Sequence, residues 1–177
     1  MCIAIKVALL GVALLAGVWD WRSRRIPNWL TLSGAAAGIG MNALFAGQPG
    51  VQASIFGLLV AIGIYVPLYL LRGMGAGDVK LMAALGAIAG PRNWLMIFLA
   101  SALLGGFMAI IVALRRGRLR QTWWNTGTIL FALSHGVKPY EANPDLDVHN
   151  EKALRIPHGT VIAGGVVLSL LLPLLPY

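Results

Sequence analysis

The stretch Val79-Lys80-Leu81-Met82-Ala83-Ala84-Leu85-Gly86-Ala87-Ile88-Ala89-Gly90 decides how this chain is arranged. It is apolar after Lys80, yet shorter than the about 20 residues that carry a helix across a bilayer core. It is also rich in alanine and glycine. Read alone, it fits a tilted or re-entrant segment as well as a crossing. Five other apolar runs are less ambiguous: 3–19, 29–46, 52–71, 94–114 and 159–176. Crossing at 79–90 would make six spans; anything less would reverse the side of all that follows.

The loops decide the point. Residues 20–28 carry Arg22, Arg24 and Arg25, whereas 47–51 carry no charge. The junction 72–80 carries Arg72 and Lys80, and the turn 91–93 only Arg92. The segment 115–158 carries Arg115, Arg116, Arg118, Arg120, Lys138, Lys152 and Arg155. Basic and non-basic loops alternate only if 79–90 crosses. Positive loops remain in the cytoplasm. The expected fold is therefore all-α, a polytopic membrane protein with six transmembrane helices and both termini on the periplasmic side. All Lys and Arg except Lys6 and Arg92 then fall on the cytoplasmic face.

Composition agrees. Of 177 residues, 58% are hydrophobic and 11% charged, with mean hydropathy +0.78. Soluble domains carry roughly 25% charged residues. The net charge of +8 sits in short clusters between apolar runs, which excludes a continuous nucleic-acid face. The only cysteine, Cys2, excludes an internal disulfide and a cysteine-pair zinc site. The run after Ile3 has its basic cluster behind it, the wrong polarity for a cleaved signal, so a retained helix is expected.

One domain is expected over 1–177, with a cytoplasmic polar loop at about 115–158. Pro139 and Pro144 argue against one continuous helix there. Gly34, Gly38, Gly40, Gly105, Gly106, Gly164 and Gly165 fit close helix packing in lipid. Trp21, Trp29, Trp94, Trp123 and Trp124 fit the interfacial aromatic belts.

Four of the six acidic residues, Glu141, Asp145, Asp147 and Glu151, lie in the polar loop. The other two are Asp20, where the first helix leaves the membrane, and Asp78, where the fourth begins. Carboxylates so close to hydrocarbon are costly and usually face a polar interior or perform a function. Two crossings separate them, so both return to the cytoplasmic face. Carboxylates that share a site hold a proton between them. The ionised member takes a proton from water while the protonated member polarises a carbonyl. Such chemistry requires neither a metal nor a nucleophilic serine.

Structural readings stand beside this one. Asp20 would pair with Arg22 or Arg24, and Asp78 would cap its helix. The same capping role suits Asn28, which follows Pro27 at a helix start. In Gly73-Met74-Gly75-Ala76-Gly77-Asp78 the alternating glycines permit a tight turn and a close approach to substrate. A phosphate loop would need Gly-Lys-Ser/Thr after a strand, which is not the pattern here. His135, His149 and His158 read as solvated or interfacial.

Gly75-Ala76-Gly77-Asp78, followed by Val79-Lys80-Leu81, resembles the GxGD motif of type IV prepilin peptidases. Asp20 through Ile26-Pro27-Asn28 is similar to that family's other catalytic-aspartate region. Arg155-Ile156-Pro157-His158-Gly159 resembles its C-terminal Ile-Pro block. The blocks occur in the family's order across nearly the whole chain. The resemblance implies an intramembrane aspartyl endopeptidase of the bacterial inner membrane, without cofactor. It would cut prepilin or pseudopilin leaders after a glycine at the cytoplasmic membrane edge. Asp20 and Asp78 would be catalytic. Gly75, Gly77, Lys80, Pro27, Asn28 and Pro157 would shape the site or hold substrate. Larger relatives carry an extra region with paired cysteines and methylate the new N-terminus. The short form resembles the tight-adherence (Flp) branch, and no methyltransferase activity is expected.

Membrane lipids are expected partners, nucleic acid is not, and homo-oligomerisation stays open. Two rival readings stay open as well: a non-catalytic membrane scaffold, or a proton-coupled transporter with Asp20 and Asp78 as structural or relay groups. A membrane serine protease or metalloprotease finds no His-Glu-x-x-His motif here.

Overall fold

The computed structural model describes residues 1–117, 119–138 and 157–171. Helix is the only regular secondary structure among these residues, with no strand. The helices are α1 (Ile3–Ser23), α2 (Asn28–Leu70), α3 (Ala76–Arg115), α4 (Leu119–Ser134) and α5 (His158–Leu171). The first three are long and apolar enough to cross a membrane.

α2 and α3 are too long for straight rods. At 1.5 Å per residue, the 43 residues of α2 would reach about 65 Å, roughly twice the hydrocarbon thickness. Each helix folds back at one glycine. Gly47 (φ 59°, ψ −141°) breaks α2, and Gly90 (φ 73°, ψ 169°) breaks α3. Both conformations are in effect reserved for glycine. A proline follows each break closely, Pro49 and Pro91, where its missing N–H costs nothing in a first turn.

Two hydrogen bonds demonstrate the reversals. Asn42 Nδ2 donates to Ser54 Oγ at 2.9 Å, and Trp94 Nε1 donates to the Met82 carbonyl at 3.0 Å. Each pair is 12 residues apart, about 18 Å along a straight helix. Only a hairpin closes that gap. α2 thus has arms at 28–46 and 48–70, and α3 at 76–89 and 91–115. The loops expected at 47–51 and 91–93 contract to single glycines because proline can start the next arm at once.

The arm 76–89, which takes in most of the doubtful run 79–90, is the centre of the molecule. Val79, Leu81, Met82, Ala84, Leu85, Gly86, Ala87, Ile88 and Ala89 are all buried. A helix packed on every side needs small residues so that neighbouring backbones can approach. Gly57 and Gly86 meet backbone to backbone, leaving no room for a Cβ on either. Asn42 also donates to the carbonyls of Ala87 and Ile88, at 3.3 and 3.1 Å, covering acceptors ahead of the Gly90 break. The bundle's exterior is apolar, with Ile3, Leu32, Leu44, Leu103 and Phe107 exposed, as a lipid-facing surface requires.

Several expectations change. Trp94 is fully buried, stacked on Phe98 with ring centroids 5.6 Å apart; its indole satisfies a core carbonyl instead of sitting in an interfacial belt. Gly40 and Gly106 face open space and pack against nothing. The segment read as a polar loop contains α4, which ends before Pro139. The acidic cluster, His149, Arg155, Ile156 and the chain after 171 lie outside the described residues.

Candidate active site

α1 and α3 deliver the two membrane-edge aspartates to one end of the bundle, and α5 closes it. Asp20 lies in the last turn of α1. Its carbonyl accepts the Arg24 N–H at 2.8 Å, closing the helix with Arg24 in the left-handed region. Its carboxylate turns inward: Gly159 donates its backbone N–H to Asp20 Oδ2 at 2.8 Å. Asp20 is only 8% exposed, whereas Arg22 and Arg24 are exposed. The partner of the Asp20 carboxylate is thus the N-terminus of α5, whose free N–H groups and positive dipole end suit a carboxylate, and not the arginines of the alternative structural reading.

The approach requires glycine at 159. A Cβ there would lie 2.8 Å from Asp20 Cβ and 3.0 Å from Oδ2. Thr160 Oγ1 donates to the Gly17 carbonyl at 3.1 Å, fixing α5 against α1 one turn deeper. Pro157 is half-buried immediately before α5, and its carbonyl accepts the Val161 N–H at 3.3 Å.

Asp78 lies in the first turn of α3 and is 9% exposed. Gly75, and not Asp78, is the N-cap residue. The Asp78 carboxylate reaches back to the Gly75 N–H, while the Asp78 N–H donates to the Gly75 carbonyl at 3.1 Å. Each aspartate thus meets the N-terminal end of a helix, Asp20 that of α5 and Asp78 that of its own. Two positive helix ends offset the cost of burying two carboxylates. Asp78 lies within electrostatic reach of both Asp20 and His158.

Most of the other sequence-derived candidates gather here. Gly77 packs against Ile26, where an added Cβ would sit 3.5 Å from Ile26 Cβ. Pro27 is the N-cap of α2 and extends no side-chain cap. Asn28 does not cap the helix either: its Oδ1 accepts from Lys80 Nζ at 2.9 Å. That bond ties the start of α2 to the first turns of α3 at the exposed rim.

Two residues escaped the sequence reading. Gly159 stood within a recognised block, and its adjacency to a helix start was the available signal. Tyr65 is 4% exposed and lies within electrostatic reach of Asp78. It packs edge-on against Trp94 and Phe98, at 6.2 and 5.9 Å. Tyr65 and Tyr69 share one apolar run, and nothing in the sequence marks which of them faces Asp78. Among the described residues, no three His, Cys, Asp or Glu side chains gather as a metal-binding group.

Comparison with known proteins places this arrangement. The model of the type IV leader peptidase family matches residues 7–110, a stretch that includes both aspartates. The chain is similar to a prepilin leader peptidase/N-methyltransferase of Xanthomonas campestris pv. campestris, 32% identical over 111 residues. That alignment covers 58% of this chain and 38% of the relative, so the chain matches well under half of that protein's length. No solved structure matches.

Proposed function

We propose, for a chain that belongs to the type IV leader peptidase family, that it is an intramembrane aspartyl endopeptidase removing the leader from prepilins. The burial of Asp20 and Asp78 at one end of the bundle, each against a helix N-terminus, carries the reading. In the mechanism, one carboxylate is ionised and the other protonated. The ionised carboxylate takes a proton from water as the water oxygen bonds to the scissile carbonyl carbon. The protonated carboxyl donates a hydrogen bond to the carbonyl oxygen. The C–N bond then breaks as the leaving nitrogen receives a proton from the pair.

The two arms of α2, the two of α3, α1 and α5 act as six crossings of the bacterial inner membrane, with both termini periplasmic. The dyad then opens at the cytoplasmic face, where a leader emerges ahead of the pilin's apolar helix. The cut follows a glycine, and the substrates are Flp-type prepilins or pseudopilins. Residues 1–177 act as one peptidase domain. Lys80, Asn28, Gly75, Gly77, Pro27 and Pro157 shape the groove. Only the proteolytic step is assigned to these residues, because Cys2 alone cannot supply the paired cysteines of the methylating forms.

Co-expression with a short Flp-type prepilin tests the proposal by gel shift of the leader. Wild type cleaves; Asp20→Ala and Asp78→Ala do not; Asp145→Ala does, at matched membrane levels. Processing by both dyad variants would refute the aspartyl mechanism.

A further inference from the structure

α4 turns its largest apolar side chains away from the rest of the protein. The face turned toward the rest of the protein is mixed: it carries Asn125, Thr128 and Ile129, all half-buried, and Ala132, which is buried. The face turned away carries Trp123, Trp124 and Phe131, exposed by 83%, 77% and 66%, together with Leu119. Few water-facing helices place three large aromatics outward, and a patch of this kind marks a surface that binds.

Three observations identify what covers it. α4 follows α3 after a turn at Gly117 (φ 65°), so it starts where a long apolar helix ends and continues that helix's lipid-facing surface. Its sixteen residues include Arg120, Gln121, Thr122, Asn125, Thr126 and Thr128, more polar groups than a lipid-embedded span carries, so α4 is suited to lie along the interface and not to cross it. Its charge has one sign. Arg115, Arg116 and Arg120 are exposed, Arg118 adds a fourth in the sequence, and no acidic residue occurs between Asp78 and Glu141. A second copy packed two-fold on this face would bring the two arginine clusters together, and like charges oppose that. Aromatics beside arginines instead fit the acyl–headgroup boundary of an anionic leaflet.

We propose that α4 is an in-plane anchor whose Trp123, Trp124 and Phe131 enter an anionic bilayer surface while the arginines at its start bind lipid phosphates. The proposal rests on the chain being membrane-embedded and not on the aspartate pair, so peptidase activity can fail without touching it.

The test uses the full chain with Cys2→Ser in phosphatidylglycerol/phosphatidylethanolamine vesicles. A nitroxide is placed at Trp124→Cys or, leaving every aromatic intact, at Gly127→Cys. Collision with oxygen reports lipid, and collision with a water-soluble nickel chelate reports water. Oxygen is expected to dominate at both sites. Replacing Arg115, Arg116 and Arg120 together by Gln, or using phosphatidylcholine alone, should raise nickel access at least about fivefold. Equal nickel access in anionic and neutral vesicles at both sites would overturn the proposal. Spin–spin broadening between copies would also overturn it, by showing a second chain on the face.

Discussion

Asp20 and Gly159 stand 139 positions apart, yet one hydrogen bond between them orients a carboxylate of the proposed pair. The contact predicts that Gly159→Ala will lower leader cleavage at least about tenfold, since small displacements of a catalytic group have effects of that order. Gly40→Ala, whose added Cβ meets nothing, should leave cleavage and abundance unchanged in the same assay. At the rim, Lys80 and Asn28 should couple by about 1 kcal/mol in a double-mutant cycle on thermal unfolding in detergent. Independent effects of the two substitutions would show that the bond does not contribute. The aspartates were legible in sequence because a carboxylate in so apolar a chain has few reasons to be there. The role of Gly159 was not, because a close approach is a property of two segments and a motif describes one.

At the scale of elements, Gly47 and Gly90 convert two long helices into hairpins by adopting conformations that a side chain resists. Gly47→Ala should cost about 1–3 kcal/mol through backbone strain alone, because its added Cβ would meet nothing. Gly57→Ala should cost at least as much for a different reason: its Cβ would press on the Gly86 backbone. Melting of the purified variants in detergent would separate them. Leu at 57 should worsen the second defect markedly, whereas a larger residue at 47 should add little beyond alanine. The apolar runs in the sequence located these helices to within a few residues. The breaks are shorter than the loops expected because a proline one or two residues after a glycine hinge lets the next arm start at once. Trp94 was misplaced because tryptophan serves equally as an interfacial anchor and as a core donor, and only the carbonyl of Met82 decides between them. α4 went unseen because its polar residues read as a loop until the inward face was known.

For the molecule as a whole, the alternation of basic and neutral loops implies which end faces the cytoplasm. A periplasm-dependent alkaline phosphatase inserted at Gly47 should be active, and one inserted at Gly73 inactive; the reverse pattern would invert the topology and move the aspartates to the other face. Charge gave this orientation to the sequence reading, but hydropathy could not say that the weakest run, 79–90, lies in the arm at the centre. Hydropathy measures what a helix would lose to water and is silent about how many neighbours surround it. The clasp between Asp20 and Gly159 has a further consequence for timing. α5 is the last of these helices to leave the ribosome, so a nascent chain that has already inserted α1, α2 and α3 still lacks the N–H that receives Asp20. On the proposed reading, proteolytic competence would therefore wait until α5 has emerged and docked, and the earlier helices could enter the membrane without an active protease among them.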